Sequence, residues 1–333
     1  ATPWVALFTR RARGRWAGGI ALAVVVAGCA PFGIEHIAGP AKAPPQEGPA
    51  PALEAAVTPQ ELEPGAPAPT VVVTPGGIVA PVVGREDGWV VRTPCGGTAT
   101  VAEAVPVRAA PVVLDPGHGG SEPGAVGANR LRESTLNLAV SEHARHALER
   151  AGVATVLTRT WDHDLSLAVR AEIVTSLSPG VFVSVHHNAG SVGRLPAPGT
   201  ETYHQAASAG SRRLAGLIQE EVVAVLAPYE LEWIGQGNAG AKYRLNLAGE
   251  DYLAMVRRPA PVTSVLAELA YLSNPPEAEL LARPEVQRAE GEAVARAFLR
   301  YLTTADEGSG YSRPDPVYGP SRRGAPQCQE PAL

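Results

Sequence analysis

The stretch Val112-Val113-Leu114-Asp115-Pro116-Gly117-His118-Gly119-Gly120 decides how the rest of the chain reads. Three consecutive β-preferring residues make a short buried strand. Asp-Pro-Gly then stops it, because proline cannot donate to a ladder and glycine permits a sharp turn. A single histidine follows, with two glycines behind it. An imidazole held by a rigid turn at the carboxyl end of a buried strand is placed for metal binding or acid/base work. Taken alone it is equally a turn histidine with no task, so the decision rests on what lies downstream.

Beyond a glycine-containing loop, Arg132-Glu133-Ser134-Thr135 opens a helix that runs to Arg150 and closes at Gly152. Leu136, Val140, Ala144, Ala147 and Ala151 recur at steps of three and four and predict one apolar face, with Glu133 in the first turn. Val153–Leu157 reads as a second strand, Leu167–Leu177 as a helix, and Val181–Val185 as a third strand ending in His186-His187-Asn188. A helix over Ser211–Leu226 leads to a fourth strand, Val262–Leu266, which ends in Ala267-Glu268, and a last helix covers about 284–302. Strands alternating with helices predict an α/β fold, a twisted, mainly parallel β-sheet with helices on both faces. A small β-hairpin precedes it, from the alternation in Trp89–Thr93, the turn at Pro94-Cys95-Gly96-Gly97 and the return over Thr98–Val101.

The polar candidates fall where such a sheet binds ligands. His118, His186 and Glu268 each follow an apolar strand and Glu133 starts a helix, and ligands of open α/β sheets sit outside the carboxyl ends of the strands. Two imidazoles and a carboxylate make a three-ligand site for one zinc ion with a position left open. A further carboxylate that does not bind the metal is what a zinc hydrolase needs to move protons.

Composition limits the alternatives. With 35 glycines and 32 prolines in 333 residues, about a fifth of the chain, not all of it is expected to pack. A net charge of −5 gives no electrostatic case for nucleic acid. Three cysteines are too few for a disulfide scaffold and lack zinc-finger spacing. There is no Gly-rich phosphate loop and no Gly-x-Ser-x-Gly elbow. His143 and His146 lie among charged residues and read as a solvated helix face. His163, between two aspartates, reads as a surface turn.

At the front, Arg10, Arg11, Arg13 and Arg15 precede the uncharged apolar run Gly18–Ala27, the layout of a secretory signal. The run ends Val26-Ala27-Gly28-Cys29, which resembles a bacterial lipobox, with Cys29 as the lipidated residue; an ordinary signal is the alternative. The organisation expected is therefore a signal over residues 1–29, a disordered Pro/Ala-rich linker over 30–78, a hairpin extension over 79–110, a catalytic domain over 111–303 and a flexible tail over 304–333. With Cys29 lipidated, Cys95 has Cys328 as its partner in an oxidising exported setting; free thiols at both positions are the alternative.

The segments VVLDPGHGG, LRESTLNLAV, LTRTWDHDLSLAVR, VFVSVHHNA, GTETYH and VLAELAYLSN, in that order between about residues 112 and 302, resemble the zinc-dependent N-acetylmuramoyl-L-alanine amidases of bacterial cell-wall turnover. The hairpin resembles actinobacterial members, in which a lipoprotein reading fits. The resemblance implies His118, Glu133 and His186 as zinc ligands and Glu268 as the catalytic residue. It implies Glu201 and Asn188 as groups backing the ligands or lining the substrate edge, with His204 a weaker candidate there. Arg159 and Asp162, with Leu167 and Arg170, match a family pattern read as a buried ion-pair network. Where His187 stands the family usually has a small residue. Adjacent side chains on a strand point to opposite sides, so only one of the two histidines is a ligand, and motif register selects His186. The expected protein is an exported, lipid-anchored monomer acting on peptidoglycan or muropeptides, with Glu268 activating water for attack on the amide. A catalytically idle wall-binding or hydrolase-activating homologue and a zinc peptidase cutting within the stem peptide are the alternatives. Residues 228–258 have no clear register and no assigned role.

Overall fold

A computed structural model describes residues 70–107, 110–319 and 327–333. The signal-like segment, Cys29 and nearly all of the linker lie outside the described residues.

The first layer is an antiparallel sheet of five strands, β1 (Val71–Val73), β2 (Val79–Arg85), β3 (Trp89–Arg92), β4 (Thr98–Val101) and β5 (Val105–Val107), in the order β4-β3-β2-β1-β5. The hairpin expected from the alternation at Trp89 is β3–β4, with Val90 opposite Thr100. The linker expected up to residue 78 stops short of that: Val71-Val72-Val73 is a β-branched run, and it enters the sheet as β1, paired with both β2 and β5.

The main body adds β6 (Val112–Pro116), α1 (Glu133–Arg150), β7 (Thr155–Leu157), α2 (Leu167–Leu177), β8 (Val181–Asn188), β9 (Gly193–Leu195), β10 (Glu201–His204), α3 (Ala209–Leu226), β11 (Trp233–Gly235), β12 (Gly240–Lys242), α4 (Ala254–Arg257), β13 (Thr263–Tyr271), α5 (Pro275–Leu281) and α6 (Pro284–Thr303). Its central sheet has the order β12-β10-β13-β8-β6-β7, and every pairing is parallel except β10 with β13. β9 and β11 form a separate two-stranded ribbon.

Period-two alternation divides the apolar strand residues between two cores. Val112, Leu114, Val181, Val183 and Val185 face α1, α3 and α6, while Val113 and Phe182 face α2, Met255 of α4 and the first layer. On α1 the buried stripe is Leu136, Val140, Ala144 and Leu148, a strict step of four. Ala151, expected to close that face, is exposed, and the helix stops there with Gly152 at φ 80°. The Ser166 side chain caps α2 by accepting from the Val169 N–H, and Ser208 caps α3 through Ser211.

His186 and Glu268 lie inside β8 and β13 rather than just beyond them. The strands continue past their apolar runs because both stay hydrogen-bonded to each other: Glu268 is in register with His186. Residues 304–319, expected to be loose, run along the body instead, and Asp315 there is 7% exposed.

Candidate metal and catalytic centre

The turn after β6 is pinned from below. The Asp115 carboxylate accepts from Thr158 Oγ1 at 2.5 Å, Ser184 Oγ at 2.7 Å and Arg170 Nη1 at 2.6 Å. Arg170 also donates to the carbonyls of Pro116 and His118. Arg159, fully buried, donates to the carbonyls of Pro116, Gly117 and Ser134. Burial alone would raise the Asp115 carboxyl, yet Arg170 and the two hydroxyls hold it below its ordinary value. The buried ion pair expected of the Arg159–Asp162 pattern is thus Arg170–Asp115. Asp162 is half-exposed, accepting from the Gly120 N–H at 2.9 Å and lying 3.7 Å from Arg132.

With its carbonyl held, His118 takes φ 62°, a left-handed conformation that non-glycine residues adopt at a cost. Gly117 is required by a close approach: a Cβ there would stand 2.2 Å from the His186 ring. The turn, the first residue of α1 and the end of β8 thereby converge. His118 Nε2 lies 3.1 Å and His186 Nδ1 3.0 Å from the same oxygen, Glu133 Oε1. One ligand atom from each of the three residues falls within 4.8 Å of the others. The other Glu133 oxygen accepts from the Ala125 N–H at 2.8 Å, which fixes the carboxylate.

Zinc bonds to nitrogen and oxygen at about 2.0–2.2 Å, so tetrahedral donors stand about 3.3 Å apart. Two of the three donor spacings are already close to that, and the two-imidazole, one-carboxylate set suits the ion, so the residues fit a metal. The protonation of the metal-free group points the same way. Burial opposes a charged His118, but Glu122 and Glu133 raise its imidazole to about 9. Burial opposes a charged Glu133 too, and the two histidines hold it far below the usual carboxylate range. The strongly anionic oxygen between two rings is where a cation would replace shared protons. His187, the neighbour of His186, points to the other side of β8, is 1% exposed and meets Asn137 at 2.8 Å.

Glu268 stands between His186 on β8 and Glu201 on β10, in register with both. Its Oε2 is buried and has no hydrogen-bond partner among the described residues. Burial, with the charges of Glu133 and Glu201, raises its carboxyl well above the ordinary value. Glu201 is the opposite case. It is fully buried and accepts from Lys242 Nζ at 2.6 Å, Asn188 Nδ2 at 2.7 Å, Tyr203 at 3.2 Å and Tyr271 at 3.4 Å. Lys242 also lies 3.1 Å from Asp315, which meets Arg244 Nε at 2.7 Å.

Sequence reasoning missed Lys242 and Asp315. One sits in the bland run Gly240-Ala241-Lys242, the other in the Pro-rich end, and only the folded chain pairs them. His163, expected on a surface turn, is 3% exposed, with Nδ1 2.9 Å from the Asp164 carbonyl. Its loop is folded inward against the His118 turn: a Cβ on Gly119 would stand 2.4 Å from the His163 carbonyl oxygen. His204 is buried, facing the Gln205 carbonyl and the ring of Tyr243, away from the group around Glu133. His146 is exposed and His143 half-buried. Cys95 and Cys328 are joined, as expected, and the end of the chain is held nearby: Glu330 accepts from Thr93 Oγ1 at 2.6 Å and the Gln329 N–H donates to Asp164.

A mostly parallel α/β sheet with a His-Glu-His group at its strand ends that could hold a metal ion, and on the next strand a carboxylate whose buried oxygen has no hydrogen-bond partner among the described residues, is the class this fold and site define. Residues 112–300 match the Amidase_3 family, N-acetylmuramoyl-L-alanine amidase, and the chain belongs to that family. It is therefore by class an enzyme of peptidoglycan hydrolysis, acting on the bond between N-acetylmuramic acid and L-alanine. It is 35% identical over 213 residues to the uncharacterised protein YqiI of Bacillus subtilis, a match covering 62% of this chain and 94% of that protein. It is 27% identical to the N-acetylmuramoyl-L-alanine amidase AmiC of Neisseria meningitidis, where the match covers 58% of this chain and 53% of AmiC, about half the relative's length. Among solved structures, Cwp6 from Clostridium difficile aligns with a TM-score of 0.50 and 26% identity, over 58% of this chain and 29% of that one.

Proposed function

We propose that this chain is a zinc-dependent N-acetylmuramoyl-L-alanine amidase of the cell envelope, with His118, Glu133 and His186 holding one zinc ion and Glu268 moving the protons. The observation that carries the reading is geometric. Three donors from three distant segments meet within 4.8 Å, and the one carboxylate in register beside them has a buried oxygen with no partner.

Bound there, zinc would supply Lewis acidity, polarising the amide carbonyl and making water nucleophilic at neutral pH. The protein does the rest. Glu133, fixed by the Ala125 N–H, and the two histidines hold their donor atoms in place. Glu268 Oε2, free of competing hydrogen bonds, takes a proton from the attacking water. It returns that proton to the amide nitrogen as the C–N bond breaks, which leaves the lactyl carboxylate on the sugar and the amine of L-alanine on the peptide. The high proton affinity imposed by burial suits the second half of that cycle, where the carboxyl must act as an acid. Glu201 stays out of the exchange because Lys242 and three neutral donors occupy it.

The test is incubation of the purified protein with muropeptides, with and without a chelator, followed by mass analysis. The expected products are a peptide beginning with intact L-alanine and a peptide-free glycan, formed only without chelator. Cleavage inside the stem peptide would make it a peptidase, and zinc-loaded protein that releases nothing would make it a binder. The location we propose is the outer face of a membrane, as a monomer anchored through Cys29. The lipobox-like sequence Val26-Ala27-Gly28-Cys29 supports it. Incorporation of labelled fatty acid that disappears in Cys29→Ser would confirm the anchor.

A further inference from the structure

The mechanism leaves unused a line of polar atoms behind Glu133. Asn137, His187 and Glu290 are at most 1% exposed. His187 Nε2 faces Glu290 Oε2 at 3.5 Å, and neither Nε2 nor either Glu290 oxygen has a hydrogen-bond partner among the described residues. Glu290 reaches this position because α6 lies flush on α1: at Gly291 a Cβ would stand 2.5 Å from the Val140 carbonyl oxygen. On the other side of the ring, His187 Nδ1 lies 2.8 Å from Asn137 Oδ1.

The Asn137 amide cannot be turned around. Its nitrogen faces two acceptors, Glu133 Oε1 and the Gly117 carbonyl, each at 3.3 Å. Its oxygen therefore faces the imidazole, and Nδ1 of His187 carries the hydrogen it accepts. The His187 backbone N–H donates to the same Glu133 oxygen at 3.2 Å. These groups line up from Glu290 to the oxygen that both His118 and His186 approach, hydrogen-bonded from His187 through Asn137 to Glu133, with Glu290 Oε2 3.5 Å behind His187 Nε2.

A buried His–Glu pair is poor core material, since apolar replacements of similar volume are often as stable or more so. Buried polar groups left without partners call for an explanation. We propose that Glu290 is a positioning residue for the metal centre: through His187 and Asn137 it keeps Glu133 Oε1 aimed at the point between His118 Nε2 and His186 Nδ1. The inference rests on the zinc reading above and deepens it. Partners behind metal ligands fix ligand orientation, and their loss costs about 10–100-fold in metal affinity.

The test measures zinc affinity of the full chain by competition with a chromophoric chelator, and the absorption spectrum after cobalt substitution. His187→Leu combined with Glu290→Met removes both polar partners at similar volume, so no buried charge is orphaned. The expected result is an unchanged unfolding midpoint without metal, zinc binding weakened about 10–100-fold, and an altered cobalt spectrum. Asn137→Ala alone should give the same loss, and should add less than about twofold in the double-variant background, because coupled residues are not additive. Wild-type affinity and spectrum in the double variant would make the pair plain core packing and overturn the proposal. So would a full additional loss from Asn137→Ala. If the double variant does not fold, Asn137→Ala decides alone: unchanged zinc affinity overturns the proposal. Folded wild type that takes up no zinc, or a His118→Ala protein that binds it as tightly, overturns the zinc reading itself and this inference with it.

Discussion

Asp115 and Glu268 are two buried carboxylates on strands of one sheet, β6 and β13, with β8 between them. Asp115 receives two hydroxyls and a guanidinium, and its carboxyl is held below the ordinary value. Glu268 has a buried oxygen with no partner among the described residues, and its carboxyl is pushed well up. Burial pushes both upward. The difference is whether the fold supplies donors, and it separates a group that holds structure from one kept available for a substrate's proton. Withholding donors sacrifices stability at the position where function needs an unsatisfied group.

The largest effect that could break this contrast is catalytic. Glu268→Gln should lower kcat/KM on muropeptides about 10²–10⁴-fold, the range for general acid–base catalysis. It should not lower the unfolding temperature. The metal-free protein should even gain from it in a pH-dependent way. A carboxyl whose folded value is raised favours folding while protonated, and that contribution is lost as pH rises above the ordinary 4.5. The variant carries no such loss, so its advantage over wild type should be absent below about pH 4.5 and grow above it. Thermal unfolding across pH 4–8 measures this, and a variant less stable than wild type at neutral pH would end the comparison.

Asp115→Ala should do the reverse to stability. Removing one partner leaves Arg170 buried and uncompensated, at a cost of about 3–5 kcal/mol, read in denaturant unfolding. The Asp115 carboxyl is lowered in the folded state, so its contribution is present above the ordinary 3.8 and disappears as pH falls through the still lower folded value. Wild type and variant should therefore converge in acid.

Zinc is the next smaller effect. At a hundredfold excess over its dissociation constant it should stabilise the folded chain by about 2.7 kcal/mol. His118→Ala should abolish that gain and Asp115-side variants should not. A change of similar or smaller size is expected of Ser184→Ala, which removes one hydrogen bond to the Asp115 carboxylate for about 1.5–3 kcal/mol and leaves zinc affinity within experimental error of wild type. A marked loss of zinc binding in Ser184→Ala would show the two regions to be coupled.

Much of this was legible along the chain wherever a residue's role depends on its own neighbours. Val112–Leu114 had to be a buried strand, the glycines around His118 had to serve a tight turn, and α1 announced itself by its apolar periodicity and the closing Gly152. The resemblance picked out His118, Glu133, His186 and Glu268 without coordinates. What escaped was polar sequence that is buried. β10, Glu-Thr-Tyr-His, has no apolar alternation, yet all four residues are buried, and Glu201, Thr202 and Tyr203 each meet a polar partner from another segment. Lys242, buried between Glu201 and Asp315, escaped for the same reason, and His163 was missed because its loop folds inward against the His118 turn.

The sequence by itself determined the alternation of strands and helices and the residue types available for a metal and a proton carrier, because apolar periodicity and turn chemistry act over a few residues. Tertiary structure alone decided which carboxylate is satisfied and that Lys242 and Asp315 stand behind Glu201. Those outcomes depend on groups more than 40 residues away that only packing brings within hydrogen-bond reach, as Arg170 reaches Asp115 across 55 positions and Lys242 reaches Glu201 across 41.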